Sequence, residues 1–451
     1  MRILIIGAGE VGYHIANRLV RERHDIVVVD DAPEVITRVR EELDVMVCEG
    51  HGASPETLER AEIDQAEMVI AVTHSDEVNV VACLLARQYG VPQCMARIHD
   101  GDVETSPLVT AGKRIGIDLM INPSRAVAEE IQQLVHMPGA DEAAEFFEGR
   151  VRLISVRVHA SAPIVQQRVK EIGARFPGEL PGVIAALQRG EKTLIPRGET
   201  IIEAEDHLLI IGKDQHLQAN LHLLGLSPNR MKNLLIIGGG QVGLQVAHLL
   251  SQDAAGYNIK ILERNTQRCH ELATRLPQVL VLNGDATDLK VLQEEGIRDM
   301  DGVIVVTDDD GTNLIAALLA KTHGAHEVIA LIKRPELVSL VAALGIDAAI
   351  NPRLITADAM LRYLRRGQVL SMFTSTSTEA ETLEMEALPR AKIVGRPLHK
   401  VNIPEGIIIG AIAHGDTITI PRGDTVIDAY DRVLVFALPK AVSKATRLLG
   451  G

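Results

Sequence analysis

Three glycines, Gly7, Gly9 and Gly12, sit in the run Gly7-Ala8-Gly9-Glu10-Val11-Gly12, between an apolar segment (RILII) and a helical pattern (VGYHIANRLV). The first glycine of such a turn permits a tight bend, the second lets backbone approach a pyrophosphate, and the third allows close helix-to-strand packing. The helix that follows offers phosphate its unpaired N–H groups and the positive end of its dipole. Asp30 closes the next apolar run, DIVVVD. A carboxylate there, about 20 residues on, accepts hydrogen bonds from a ribose 2′-OH and repels a 2′-phosphate. The chemistry is the grip of an adenosine diphosphate moiety, with NAD favoured over NADP. The constellation recurs as Gly238-Gly239-Gly240-Gln241-Val242-Gly243 after NLLII, with Glu263 ending IKILE. Arg264 beside Glu263 weakens the bias against a 2′-phosphate in this second copy.

Two further paired segments belong at the C-terminal ends of strands, where ligands sit in open α/β sheets. Asp285, in Asn283-Gly284-Asp285-Ala286, stands in position to meet adenine or ribose, and the first copy has Glu49-Gly50-His51-Gly52 there. Thr73 with His74, and Thr307 with Asp308, follow the fourth strands. Two roles are open for these threonines, contact with a ligand or capping of the next helix. With His51 and His74 in place of Asp285 and Asp308, the second site is expected to be the more acidic.

Catalytic chemistry is harder to find. Hydride transfer needs a substrate domain and a proton-transfer residue beside the nicotinamide, and the smaller units of this chain are short and alike. No GxxxxGK[ST], GxSxG or HExxH run occurs, and the 16 histidines and four cysteines (Cys48, Cys83, Cys94, Cys269) lack metal-ligand spacing. No catalytic residue and no metal site are therefore expected, and binding without chemistry is the better inference. The alternative is an NAD-dependent oxidoreductase with its substrate between large and small units. With 46 Lys plus Arg against 60 Asp plus Glu, a net charge of −14 opposes nucleic-acid binding. Aromatic residues are only 2%, with no Trp, so stacking platforms lack their material and the cores must be aliphatic. The opening MRILIIGAGEVG runs straight into a strand and turn without the succession of a signal peptide. No apolar run approaches the ~18 residues that span a bilayer. A reducing compartment and no membrane insertion are expected.

The repetition extends well beyond the glycines. AVTHSDEVNVVACLLAR (71–87) aligns without gaps on VVTDDDGTNLIAALLAK (305–321), pairing Thr73 with Thr307 and Asn79 with Asn313. INPSRAVAEEI from Ile121 answers INPRLITADAM from Ile350, and IPRGETIIEAEDHLLIIG (195–212) answers IPRGDTVIDAYDRVLVFA (420–437). Short Ile/Val-rich runs alternating with helical patterns signal βαβ units. The expected fold is therefore α/β: two Rossmann-like, doubly wound parallel-sheet domains over residues 1–123 and 232–352, each followed by a small α+β module, 150–226 and 382–451. Connectors cover 124–149 and 353–381, the first helical throughout and the second ending in an exposed Ser/Thr-rich linker (SMFTSTSTEAET). The apolar faces of the connectors, 126–135 and 355–364, are expected to pack on a neighbouring subunit, or else on their own sheet.

Taken together, GAGEVG with Asp30, GHGASPETL, AVTHSDEVN and MARI, then GGGQVG with Glu263, NGDATDLKVL and VVTDDDGTN, resemble the peripheral TrkA subunits of bacterial and archaeal Trk potassium-uptake systems. The small units resemble the C-terminal modules that accompany regulator-of-potassium-conductance (RCK) domains. The resemblance implies a non-enzymatic, cytoplasmic gating protein, peripheral on the membrane and assembled as a homo-oligomeric ring on a potassium-channel subunit of the TrkH or TrkG type. The implied cofactor is NAD(H), with ATP and ADP as further ligands. Carried over residue by residue, the first site is Gly7, Ala8, Gly9, Glu10, Val11 and Gly12 with Asp30, Thr73, His74 and Arg97. The second is Gly238, Gly239, Gly240, Gln241, Val242 and Gly243 with Glu263, Asp285, Thr307 and Asp308. Arg97 faces Leu331 in the alignment, so a phosphate contact there belongs to the first site only; its other reading is a surface arginine at a strand end. A regulator of a different cation transporter is the remaining alternative.

Overall fold

The computed structural model describes residues 1–99, 114, 116–176, 180–190, 192–216, 231–364, 369–375 and 380–450. The expected end of the first small module at 226, and residues 365–368 and 376–379 of the second connector, lie outside them. Strands β1 (Arg2–Ile6), β2 (Asp25–Asp30), β3 (Met46–Glu49), β4 (Met68–Ala71), β5 (Gln93–Arg97) and β6 (Leu119–Ile121) form a parallel sheet in the order β3-β2-β1-β4-β5-β6. This is the doubly wound order, and its crevice opens where the sequence steps from β1 to either side. Ile3, Ile5, Val28, Val29 and Ile70 are fully buried, as strands covered on both faces require.

An antiparallel sheet follows, with β7 (Glu142–Phe146), β8 (Val151–Arg157), β9 (Gly182–Arg189), β10 (Lys192–Leu194) and β11 (His207–Lys213) in the order β10-β9-β11-β8-β7. The second parallel sheet comprises β12 (Asn233–Ile237), β13 (Asn258–Glu263), β14 (Leu280–Asn283), β15 (Gly302–Val305), β16 (Glu327–Leu331) and β17 (Ala348–Ile350), ordered as the first. The last sheet holds β18 (Val369–Thr374), β19 (Glu381–Glu386), β20 (Ile407–His414), β21 (Thr417–Thr419) and β22 (Arg432–Ala437) in the order β18-β19-β22-β20-β21. The two-layered duplication expected from the sequence is thus present in topology as well as in composition.

Three local readings change. Residues 142–146, assigned to a helical connector, form edge strand β7, because Ala143, Ala144 and Phe146 are buried and pair with β8. The start of the Ser/Thr-rich stretch is not linker but β18, registered on β19 with Met372 opposite Leu383. The third concerns the connector helices. Helix Pro352–Leu364 does not pack with the sheet that precedes it: residues 351–364 form one compact unit with 1–127, and the helix lies against helix Glu10–Arg21, where Arg18 Nη1 stands 3.8 Å from Asp358 Oδ1. The other unit comprises 128–350 and 365–451. In it, Gln132 Nε2 and His136 Nε2, from helix Pro123–His136, lie 3.0 and 2.7 Å from Asp253 Oδ2, just beyond helix Gln241–Ser251. Within the chain, then, residues 351–364 group with the first copy and residues 128–136 with the second, in place of packing on their own sheets.

The two small modules share one apolar core, in which Phe146, Phe147, Leu153 and Ile211 join Ala411, Leu434 and Phe436. Buried Glu384 binds across it, accepting from Arg432 Nε at 2.7 Å and from Phe147 N–H at 3.0 Å. A group of His414, Asp428 and Asp431, with possible ligand atoms within 4.8 Å of one another, matches Arg189, Glu203 and Asp206 of the first module. There Arg189 is ion-paired to both acids at 2.7 Å, so His414 takes the place of a structural cation.

Glu327, on β16, is buried and accepts from Gly139 N–H at 2.9 Å through Oε2, while Oε1 has no partner among the described residues. Lys321 is held instead by Asp347 at 2.7 Å. Burial pushes the Glu327 carboxyl up to about 8, opposed by the bond from Gly139 and reinforced by Asp347. Between about pH 4.5 and 8 the folded chain keeps a proton that the unfolded chain has shed, so this group's stabilisation is complete at low pH and lost as pH rises through about 8. Glu327→Gln, which copies the Gln93 of the first sheet, is expected to remove up to about 1.4 kcal/mol per pH unit of slope over that window. Thermal melts of both proteins from pH 5 to 9 measure the difference.

Candidate functional site

At the first site, β1 delivers the chain to Gly7, whose φ of +94° turns it toward the helix. A Cβ on Gly7 would lie 2.8 Å from Thr73 N, and one on Gly12 only 1.9 Å from Gly7 O. Gly9, by contrast, faces open space. Two glycines are therefore demanded by packing and the third by whatever must approach it. The second turn repeats this, with Gly238 at φ +104°, Gly243 at 1.9 Å from Gly238 O, and Gly240 open.

Asp30, at the tip of β2, accepts from Ala8 N–H at 2.6 Å through Oδ2 and from Ala32 N–H at 2.9 Å through Oδ1. Glu263 does the same for Gly239 N–H and Asn265 N–H, both at 2.7 Å. Each carboxylate thus ties the glycine turn to the loop after the second strand. Each oxygen keeps a further lone pair for a donor such as a hydroxyl.

The threonines cap no helix. Ser75 and Asp309 are the N-caps, accepting from Val78 N–H and Thr312 N–H. Thr73 N–H and Oγ1 both donate to Asn79 Oδ1 at 2.8 Å, and Asn79 Nδ2 returns bonds to the carbonyls of Thr73 and Arg97. In the second copy, Asn313 makes the same bonds to Thr307 and to the Leu331 carbonyl. Both asparagines are fully buried, which explains why the repeat keeps Thr and Asn six apart.

The first site opens a cavity of about 670 Å³, lined by Gly7, Gly9, Glu10, Val11, Asp30, His51, Thr73, His74 and Arg97 among others. Its size falls in the range of small-molecule sites. Arg97 reaches back from β5 to donate to the Thr73 carbonyl at 2.8 Å, while its Nε is buried with no partner among the described residues. Burial pulls its guanidinium below the usual arginine value, Asp76 opposing, and it remains a cation at neutral pH. Ala8 and Gly12 sit within the turn rather than on the cavity wall.

Around the second turn, Gly238 to Gly243 and Glu263 repeat the arrangement, but the surroundings differ. Arg268, opposite Val35 in the repeat, donates through Nε to the Gly239 carbonyl at 2.7 Å. Asp285 folds onto Thr287, whose N–H and hydroxyl hold its carboxyl below the usual range. Asp308 projects fully into solvent, 3.6 Å from Lys333 Nζ, and Leu331 is buried where the first site has Arg97.

Among the cavity-lining residues that the sequence reading did not single out are Val35 and Arg353. Val35, from helix Pro33–Glu42, is visible in hindsight as an apolar neighbour of Asp30. Arg353, at the start of helix Pro352–Leu364, is not, since nothing in the second half's sequence shows that this helix serves the first sheet.

Two parallel sheets, each with a glycine turn clasped by the carboxylate of the neighbouring strand, define a tandem Rossmann-type protein with paired α+β modules. The TrkA-N domain family matches residues 3–123 and 234–352, and the TrkA-C domain family matches 153–225 and 383–450. The chain is 36% identical to Trk system potassium uptake protein TrkA homolog 1 of Methanosarcina mazei, over 99% of each chain. It is 35% identical to TrkA of Azorhizobium caulinodans, over 99% of this chain and 98% of that one. The chain belongs to the TrkA family. Its fold is similar to that of the GsuK RCK domain, with a TM-score of 0.60, 20% identity, and 99% of this chain and 94% of that chain covered. The GsuK channel bound to NAD aligns with a TM-score of 0.59, 20% identity, and coverage of 100% and 79%.

The two kinds of glycine separate experimentally. Gly12→Ala places a methyl group against a backbone carbonyl and is expected to destabilise the chain by about 2–4 kcal/mol. Gly9→Ala is expected to leave the melting temperature within about 2 °C of wild type and to weaken nucleotide binding at the first site about tenfold or more. Paired melting and titration experiments check both.

Proposed function

We propose that this protein is the cytoplasmic, nucleotide-binding regulatory subunit of a Trk-type potassium transporter. The observation that carries the proposal is the first-site cavity, where a helix N-terminus, an open glycine, Asp30 and Arg97 converge in a chain of the TrkA family. In this reading the adenosine ribose binds Asp30 and the diphosphate lies over Gly9, Glu10 and Val11. Thr73 and His74 border the far end, and Arg97 supplies positive charge. The ligands are NAD(H) and adenine nucleotides. GsuK, similar in fold, has been seen bound to NAD and to ADP. The second site, Gly238 to Gly243 with Glu263, Asp285, Thr307 and Asp308, is the weaker and more acidic of the two.

No chemistry is assigned to either site, which is consistent with relatives named as potassium uptake proteins. Among the described residues no helix is long and apolar enough to cross a membrane. The proposed partner is a membrane potassium-channel subunit of the TrkH or TrkG type, engaged at its cytoplasmic face by a ring of these chains. Nucleotide occupancy regulates that partner through whatever difference in affinity it has for two conformations.

Calorimetric titration of the full chain with NADH, ATP and ADP is expected to show binding to at least one site. Asp30→Ala is expected to weaken the first site about tenfold or more, ~1.4 kcal/mol, and Glu263→Ala the second, each leaving the other site unchanged. Capture of the tagged chain from native membranes is expected to retrieve a potassium-channel subunit. Silence toward every nucleotide, or retrieval of an unrelated transporter, would overturn the proposal.

A further inference from the structure

The cavity at the first site is not built from the first half alone. Arg353 lines it together with Gly9, Glu10 and Arg97, although it lies in the helix that follows the second parallel sheet in sequence. Its Nη1 is 3.1 Å from Glu10 Oε2, and Arg38 Nη1 is 3.1 Å from Glu10 Oε1. Glu10 is the first residue of the helix whose N-terminus faces the cavity, so its carboxylate stands where a ligand's phosphate would be received. In the repeat, Glu10 corresponds to Gln241 and Arg353 to Ser124, so this acid–arginine pair is written once only.

The backbone at Arg353 is fixed independently of its side chain. Buried Asn351 accepts from the N–H groups of Arg353 and Leu354 at 3.0 and 3.3 Å. Ala357, Met360 and Leu361 are buried further along the helix. The guanidinium is therefore a cation on a rigid base, paired to a partly exposed carboxylate from which a stronger anion can draw it. A terminal phosphate is such an anion, with more charge than a diester-like bridging phosphate and free oxygens that a guanidinium can bind in bidentate fashion.

We propose that Arg353 is a phosphate-binding, specificity-determining residue of the first site, exchanging Glu10 for the terminal phosphate of a nucleoside di- or triphosphate. The inference rests on the first site being a nucleotide site. A dinucleotide, whose diphosphate is capped at both ends, gains little from Arg353. Nucleoside phosphates thereby tighten the hold of helix Pro352–Leu364 on the glycine turn.

The test is titration of full-length wild type, Arg353→Gln, Glu10→Gln and Asp30→Ala with ATP, ADP and NADH, with melting temperatures alongside. Arg353→Gln is expected to weaken ATP and ADP at least tenfold and NADH less than threefold. Glu10→Gln, which frees Arg353, is expected to preserve or tighten ATP. If Asp30→Ala weakens the first site about tenfold or more while Arg353→Gln leaves ATP within twofold of wild type, or weakens all three ligands equally, the role of Arg353 is overturned and the site stands. If wild type binds none of the three, both are overturned.

Discussion

The bond between a strand-tip carboxylate and the amide of the glycine turn is the constraint on which each half depends. Asp30 binds Ala8 N–H and Glu263 binds Gly239 N–H, and each reaches with its second oxygen to the loop beyond its own strand. A glycine-rich loop is costly to order because its residues have most freedom to lose. One carboxylate with two charge-assisted bonds offsets that cost and fixes the start of the following helix. The same atoms that hold the loop also present lone pairs to the crevice. Structure and recognition are therefore joined in one side chain, and neither acid can be varied for one purpose alone.

Around that shared clasp the two halves have diverged. A buried asparagine locks the fourth strand to the fifth in both, through Thr73 and Asn79 or Thr307 and Asn313. What the lock displays differs. The first cavity receives Arg97 from its own half and Arg353 from the second, while the second half buries Leu331 and turns Asp308 outward. The contrast in charge read from His51 and His74 against Asp285 and Asp308 thus has a geometric side. Asp285 is engaged with Thr287, and Arg268 stands against the turn.

Much of this was legible in the chain itself. Apolar runs bounded by glycines located the long strands, since strands buried on both faces must be continuously aliphatic. The repeat gave the topology of the second half from that of the first. Short edge strands were less visible: β7 and β18 owe their conformation to pairing with β8 and β19, not to an apolar period of their own. The threonines could be placed at the crevice but not given a partner, because their bonds to Asn79 and Asn313 depend on how the fourth and fifth strands align. Arg353 was out of reach for a different reason. A periodic pattern tells that a helix has an apolar face and is silent on which of two similar surfaces will cover it.

The exchange of that helix bears on how such a protein could come in parts. Residues 351–364 cluster with 1–127 as one compact unit, so a polypeptide ending at the close of the first copy would lack the helix that covers part of its own surface and could take one from a second molecule. In the tandem chain donor and recipient are covalently joined, and completion no longer depends on how many molecules are present. Freed from matching an identical twin, each copy can change its own crevice without spoiling the other.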